Sequence, residues 1–245
     1  MSDFIVNPST IYFIEFRSRL IHSLWVIGLL FIALFLVDQQ LYHYLAKPLL
    51  KELPLGYLIA TNITTPFTVP LKAAFVSALL LGMPYLLYQL WSFIAPALHA
   101  NEKRQILPFL ISSLLLFYGG VAFAYGVICP ITLSFFAHCA PPGVQIMTDI
   151  QAYLDFMLGM LLSGGLAFQV PVLTVLVVNL GLCSVQQLIY LRPYIIVGAF
   201  VLGMLLTPPD VFSQVMLALP MWGLFEAGLW LAKRKGDCTI IERLR

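Results

Sequence analysis

Long runs of apolar residues dominate the sequence and decide what it can fold into. A helix that crosses the hydrocarbon layer of a bilayer needs about 20 mostly apolar residues. Hydrophobic residues make up 61% of the chain and charged residues only 10%, whereas soluble domains carry about 45–50% and 25%. Such a composition cannot give a globular core a polar surface, so it excludes a soluble enzyme, a disordered chain and a nucleic-acid-binding domain. The sequence predicts an integral membrane protein.

Six apolar runs predict an all-α, polytopic fold in a single integral membrane domain. The predicted spans cover residues 20–37, 70–94, 107–136, 153–182, 194–206 and 211–231 of the 245-residue chain. A sharp turn is expected at Pro208 and Pro209, because proline cannot donate a backbone hydrogen bond. The fifth run is short, so it either thins the bilayer or forms a reentrant hairpin with the sixth. We expect two short crossings, and no cleaved signal peptide in the first run.

The distribution of positive charge predicts the orientation of the spans. With six spans, one side of the membrane carries ten of the thirteen Lys and Arg residues. The other side keeps only Lys47, Lys51 and Lys72. Because cytoplasmic loops are enriched in Lys and Arg, both termini are predicted to face the cytoplasm. The 137–151 loop and the Pro208–Pro209 turn then face outward.

Three polar residues lie within or near the predicted spans. Asp155 would need a partner, a cavity or a proton if it were in hydrocarbon, and we expect it at the outer interface. The Gln169 amide could join two helices or hydrate a path for a passing chain, and these two interpretations stay open. Glu226 is expected to pair with a cation near the cytoplasmic end of the last span.

The sequence contains no motif of catalysis, cofactor binding or metal binding. HExxH, GxSxG and Walker sequences are absent, and the four Cys residues form no CxxC pair. The chain is therefore not expected to be an enzyme or to hold a cofactor or metal. On residue chemistry alone, Glu15 is expected to pair with Arg19 one helical turn away. Phe93 and Glu102 are either ordinary interfacial groups or a docking site for a peptide guanidinium.

Several long motifs occur in order along the chain and carry a resemblance to a known family. They are Ile14-Glu15-Phe16-Arg17-Ser18-Arg19-Leu20, Ala46-Lys47-Pro48-Leu49, Tyr88-Gln89-Leu90-Trp91-Ser92-Phe93-Ile94-Ala95-Pro96-Ala97-Leu98, Glu102-Lys103-Arg104, Leu116-Phe117-Tyr118, Ala122-Phe123-Ala124-Tyr125, Arg192-Pro193-Tyr194, and Leu205-Leu206-Thr207-Pro208-Pro209-Asp210-Val211-Phe212-Ser213-Gln214. The sequence resembles the TatC family, the multispanning core subunits of the bacterial twin-arginine translocase. The resemblance covers residues 10–235, nearly the whole chain.

The resemblance implies a glove-shaped bundle of six helices, with short fifth and sixth helices, in the bacterial cytoplasmic membrane. It also implies a receptor that reads two consecutive arginines in the signal peptides of folded proteins. The implied site residues are Glu15, Arg17, Arg19, Leu20, Phe93 and Glu102. Pro48 and Asp210 match positions of the outer loops.

The resemblance further implies single-span partners of the TatA and TatB type, docked along the fifth and sixth spans near Met204, Thr207 and Gln214. Other copies of the chain and membrane lipid are also expected partners, and the proton-motive force is the implied source of energy. At Gln169 the chain departs from the family, which commonly has Glu there, so a hydrogen-bonding role is expected instead of a protonatable one. A small-molecule transporter and a structural scaffold are the alternatives.

Overall fold

The structure is mainly helical in the part of the chain that it describes. This computed structural model describes residues 8–37, 45, 59–94, 106–139, 148–206 and 210–243. Within these ranges the helices are accompanied by one isolated bridge, in which Ile59 pairs with Asp149. The helices are α1 Pro8–Phe35, α2 Thr65–Ile94, α3 Ile106–Phe123, α4 Cys129–His138, α5 Ile150–Ala167, α6 Val170–Asn179, α7 Val185–Tyr190, α8 Arg192–Leu206 and α9 Val211–Arg243.

Five stretches of helix in the described residues are long and apolar enough to cross a membrane. They are Phe13–Phe35, Thr65–Ile94, Leu107–His138, Ile150–Asn179 and Val211–Arg234. A π-helical turn, Ala124–Ile128, makes α3 and α4 one continuous helix. The fifth predicted span corresponds to α8, and its apolar part is only Arg192–Leu205. The fold is therefore all-α, as the sequence predicts.

The last helix differs from the short sixth helix that the resemblance implies. Helix α9 contains 33 residues and continues well beyond Leu231. Lys and Arg are good helix formers, so the basic residues that follow the apolar run extend the helix instead of ending it. Residues 207–209, where we predicted a sharp turn, lie outside the described residues. Asp210 caps the start of α9, because its Oδ2 accepts a 2.7 Å hydrogen bond from the Ser213 backbone N–H.

The fourth span is broken in the middle. Helix α5 ends at Ala167, Phe168 and Gln169 form a turn, and α6 begins at Val170 with Pro171 in its first turn. Proline fits at this position because the first N–H groups of a helix have no intrahelical acceptor. Helix α6 ends at Asn179, shortly before Gly181, whose φ of 67° is left-handed. The Leu182 N–H donates to the Val177 carbonyl and closes this end of the helix.

Glycines bring the central helices into close contact. A Cβ atom at Gly164 of α5 would lie 2.6 Å from the Ala124 Cβ, and one at Gly120 of α3 would collide with the Gly164 carbonyl oxygen. A Cβ atom at Gly228 of α9 would lie 2.7 Å from the Pro171 Cα. Small residues at interfaces let membrane helices approach backbone to backbone. Helices α3, α5, α6 and α9 therefore form the packed centre.

Helix α1 lies at the side of this centre and packs mainly against α2. Only 6% of its apolar window is buried within the protein. Apolar side chains such as Leu24, Trp25 and Leu29 are largely exposed, as expected for a helix that faces lipid. Among the described residues, the end of α1 that is predicted to be cytoplasmic packs against the carboxyl-terminal end of α2.

Candidate functional site

An open groove of about 180 Å³ lies between the start of α1 and the end of α2. It is lined mainly by apolar side chains, together with three polar ones, Arg19, Ser23 and Gln89. The lining residues are Phe16, Arg19, Leu20, Ser23, Leu86, Gln89, Leu90 and Phe93. The structure thus brings Arg19 and Leu20 of α1 together with Phe93 of α2, which is distant from them in sequence.

An ion pair lies beside this groove on the exposed turn of α1. Glu15 Oε1 accepts from Arg19 Nη2 at 2.7 Å and from Arg19 Nε at 3.1 Å. This is the intrahelical pair that the four-residue spacing predicts. Both bonds go to one carboxylate oxygen, and no donor among the described residues contacts Oε2.

Two aromatic rings close one part of the groove. The ring centroids of Phe16 and Phe93 lie 5.5 Å apart with planes tilted by 60°, a separation and tilt that aromatic pairs favour. Phe16 is half exposed, so the pair offers an apolar surface next to the Glu15 carboxylate. Arg17 is exposed on α1, two residues from Arg19 and therefore on a different face of the helix.

One predicted residue of this site, and one predicted residue of an outer loop, are not among the described residues. Glu102 and Pro48 both lie outside the described residues. Among the described side chains, Glu15 is the carboxylate that flanks the groove.

A second polar arrangement joins α2, α3 and the α5–α6 junction. Trp91 Nε1 donates to Ser113 Oγ at 3.1 Å, and Gln169 Nε2 donates to the Ser113 carbonyl at 2.8 Å. The Trp91 ring also stacks on Phe109, with centroids 5.2 Å apart. The Gln169 amide therefore makes an interhelical hydrogen bond, the first of the two interpretations that the sequence left open. Trp91 is two residues from Phe93, so one turn of α2 faces both the groove and the packed centre.

Comparison with known proteins identifies the family. A family model described as Sec-independent protein translocase protein (TatC) matches residues 12–220. The chain belongs to the TatC family. The TatC protein of Haemophilus influenzae is 50% identical over 228 residues, covering 93% of this chain and 89% of that protein. The TatC protein of Escherichia coli is 46% identical over 228 residues, covering 93% and 88%.

A solved structure also resembles this chain. The crystal structure of a twin-arginine translocase receptor, TatC, superposes with a TM-score of 0.83 at 32% sequence identity, covering 91% of this chain and 98% of that one. These TatC relatives are named as translocase components and not as enzymes. The fold of the chain is thus the TatC fold, that of a multi-pass membrane protein of a protein-transport family.

Two of the three positions that the TatC resemblance assigns to partner helices lie on α8 and α9. Met204 is 56% exposed on α8, so it can meet another helix or lipid. Gln214 Nε2 donates to the Phe200 carbonyl at 2.8 Å and so links α9 to α8. Thr207 lies outside the described residues.

The remaining charged residues of the spans have partners that sequence reasoning did not name. Lys72 Nζ contacts both carboxylate oxygens of Asp155 at 2.8 Å, and both side chains are nearly half exposed. Glu226 pairs with a cation as expected, and that cation is Arg192 at the start of α8, 2.7 Å away. Arg234, in the basic cluster after Leu231, instead stacks over the Trp230 ring.

Sequence reasoning also missed several polar and aromatic side chains of both sites: Phe16, Tyr85, Gln89, Trp91 and Ser113. A usable signal was present for Gln89, which lies one helical turn before Phe93 and is a polar residue on a mainly apolar helix. A polar residue in a span commonly marks an interhelical contact or a function. No comparable signal exists for Ser113, because serine is common in transmembrane helices.

Proposed function

We propose that the chain is the signal-peptide receptor and core subunit of a twin-arginine translocase in a bacterial cytoplasmic membrane. It binds the arginine pair of a signal peptide at the α1–α2 groove and takes part in the export of folded proteins. The observation that carries the proposal is the Glu15 carboxylate, which flanks an apolar groove and has one oxygen without a donor among the described residues. Membership of the TatC family supports the same assignment.

The groove combines the two properties that a signal peptide requires. A carboxylate accepts planar, charge-assisted hydrogen bonds from a guanidinium, and Glu15 is 36% exposed and therefore accessible. Phe16, Leu20 and Phe93 supply an apolar surface beside it for the hydrophobic part of the signal. Glu102 would supply the second carboxylate for the second arginine.

Arginine is expected to bind better than lysine at such a site. The guanidinium presents five N–H donors in a rigid plane, whereas the lysine ammonium is a strongly hydrated point charge. A signal with two lysines keeps the charge but loses the planar hydrogen bonds. We therefore expect the receptor to discriminate between the two although their net charges are equal.

We propose that the chain crosses the membrane six times with both termini in the cytoplasm. The charge distribution supports this topology, because Arg17, Arg19, Arg192 and the cluster after Leu231 fall on one side. The Lys72–Asp155 pair then lies near the outer surface. On the same topology the groove faces the cytoplasm, where signal peptides are made.

We also propose that single-span partners of the TatA and TatB type dock along α8 and α9. Helix α8 exposes a continuous apolar surface that includes Val197, Val201, Met204 and Leu205. One N–H of the Gln214 amide is used within the chain, so a polar group of a partner would bond to its second N–H or to its side-chain oxygen. The short apolar part of α8 would thin the bilayer where the partners assemble.

The energy for transport is proposed to come from the proton-motive force. An uncoupler should stop export, whereas depletion of ATP at a constant proton gradient should not. Measuring export by inverted membrane vesicles under these two conditions tests this part of the proposal.

Site-specific crosslinking tests the receptor assignment. A photoreactive amino acid at Phe93 should crosslink to a signal peptide that carries Arg-Arg, and less to one that carries Lys-Lys. The same probe at Trp25, which is exposed on α1 away from the groove, is the matched control and should give no crosslink. Equal crosslinking at Phe93 and Trp25, or none at Phe93, contradicts the receptor assignment. A substrate-dependent solute flux without a crosslink would favour a small-molecule transporter.

A further inference from the structure

Four polar side chains form a hydrogen-bonded chain across the α1–α2 contact. Tyr85 Oη accepts from Gln89 Nε2 at 2.7 Å, and Gln89 Oε1 accepts from Arg19 Nη1 at 3.0 Å. Arg19 in turn donates through Nε and Nη2 to Glu15 Oε1. The chain runs from α2 to the carboxylate beside the groove.

The order of donors and acceptors in this chain is fixed by chemistry. A guanidinium can only donate, so the oxygen of the Gln89 amide must face Arg19 and its nitrogen must face Tyr85. Arg19 uses three of its N–H groups on two acceptors that lie on different helices. The guanidinium plane therefore cannot rotate without breaking at least one of these bonds.

This arrangement determines which part of Glu15 remains available. Both bonds from Arg19 end on Oε1, and the described residues offer no donor to Oε2. An isolated exposed pair of this spacing is held only weakly, so without a second hydrogen-bond partner the Arg19 guanidinium would often leave Glu15. Gln89 is that second partner, and Tyr85 fixes the Gln89 amide.

We propose that Gln89, held by Tyr85, is a positioning residue for signal-peptide recognition: it keeps Arg19 on one oxygen of Glu15 so that the other oxygen meets the incoming guanidinium. This inference rests on the proposed receptor function and assigns to that site the groups that set its preference for arginine over lysine. With Glu15 held in one orientation, a planar donor binds at the remaining oxygen in a defined geometry. A mobile Glu15 would attract any cation with little regard to its shape.

The test compares how strongly two signal peptides compete for the crosslink at the groove. Inverted membrane vesicles that contain the assembled translocase carry a photoreactive amino acid at Leu90, and the half-maximal competing concentrations of Arg-Arg and Lys-Lys peptides are measured. Gln89→Leu should reduce the preference for Arg-Arg over Lys-Lys about fivefold or more, since each lost hydrogen bond corresponds to a factor of about two to ten. Tyr85→Phe removes one bond of the chain and should reduce the preference by a smaller factor.

Tyr88→Phe is the matched control, because it removes the same hydroxyl group from an exposed position of the same helix. It should leave the preference at the wild-type value. Gln89→Leu makes α2 more apolar, so it does not oppose membrane insertion. If Gln89→Leu weakens both peptides by the same factor, or changes neither, the positioning role is overturned while the receptor function stands. If the wild-type chain itself shows no preference for Arg-Arg, the receptor function fails and the positioning role fails with it.

Discussion

The α1–α2 side and the packed centre of the molecule are built on opposite principles. In the centre, Gly120, Gly164 and Gly228 allow backbones to touch, so that even one added methyl group has no space. At the α1–α2 side, Gly28 has open space around its Cα, since a Cβ atom there would meet nothing within 4 Å. The two helices are joined by a side-chain hydrogen bond, by two aromatic pairs and by side-chain packing against Gly82 that leaves room for a methyl group.

This contrast predicts which substitutions are harmful in each of the two regions. The centre depends on volume, because close packing leaves no room for larger side chains. The α1–α2 side depends on the chemistry of a few groups and tolerates changes of volume on its lipid-facing surface. A rigid centre can therefore hold one end of the groove, through Trp91 and Ser113, while α1 supplies the groups that meet the substrate.

The largest effect is expected for leucine at a central glycine. Gly164→Leu should greatly reduce the amount of folded protein, because its Cβ alone would lie 2.6 Å from Ala124 Cβ and overpacking of this kind can exceed about 3 kcal/mol. Gly28→Leu on α1 is the matched control and should fold normally. Thermal unfolding in detergent measures both variants. Similar melting temperatures for the two variants would contradict the proposed difference between the packed centre and the α1–α2 side.

The second-largest effect is expected at Glu15, where a substitution should reduce export without reducing the amount of folded protein. Glu15→Gln keeps the size of the side chain and an acceptor for Arg19 but loses the charge. Hydrogen bonds to charged groups are worth about 1.5–3 kcal/mol, so export of a folded reporter with an Arg-Arg signal should fall at least about tenfold. Protein levels should match those of the wild-type chain, and undiminished export would show that the carboxylate is not needed.

A smaller effect is expected where the two regions meet. Gln169→Leu removes the bond to the Ser113 carbonyl, and one neutral hydrogen bond contributes about 1 kcal/mol. The variant should unfold at a slightly lower temperature and export more slowly. A second variant, Gln169→Asn, keeps the amide on a shorter side chain and tests whether the length of the side chain matters. Unchanged export and stability in Gln169→Leu would dismiss the polar role of this residue.

The smallest effect concerns the ion pair between α8 and α9. The side chains of Arg192 and Glu226 are 40% and 32% exposed, and exposed pairs contribute about 0–1 kcal/mol. Glu226→Gln should therefore lower the melting temperature by a few degrees at most. Exchange of the two residues, Arg192→Glu with Glu226→Arg, should recover part of the loss. A large loss in Glu226→Gln would mean that the carboxylate does more than hold these helices together.

The sequence predicts the fold well because the bilayer limits what an apolar chain can do. Runs of about 20 apolar residues must be helical to satisfy their backbone groups, and the all-α fold and the approximate positions of the long helices follow. The length of α9 was not predicted correctly, because a count of apolar residues ends at Leu231 although helical structure continues through the basic residues. The close contacts of Gly120 and Gly164 could not be predicted either, since a glycine in a span marks either a contact or a flexible point.

The site was predictable to the extent that its residues are close in sequence. The Glu15–Arg19 pair follows from the spacing of one helical turn. The contact of Arg19 with Gln89, 70 residues away, depends on how α1 packs against α2, and no local pattern contains that information. The same is true of Lys72 and Asp155, two charged residues on different spans whose partnership is a property of the fold.

The amide at position 169 has one consequence for how the molecule can respond to its surroundings. An amide does not change its charge between acidic and neutral pH, so its hydrogen bond to the Ser113 carbonyl is equally strong in both. This hydrogen bond therefore holds the junction of α5 and α6 at any pH. Neither a pH difference nor a voltage across the membrane can break it by changing the protonation of the amide. The carboxyl group introduced by Gln169→Glu could donate the same hydrogen bond only while it is protonated. The substitution would therefore make this interhelical bond depend on pH.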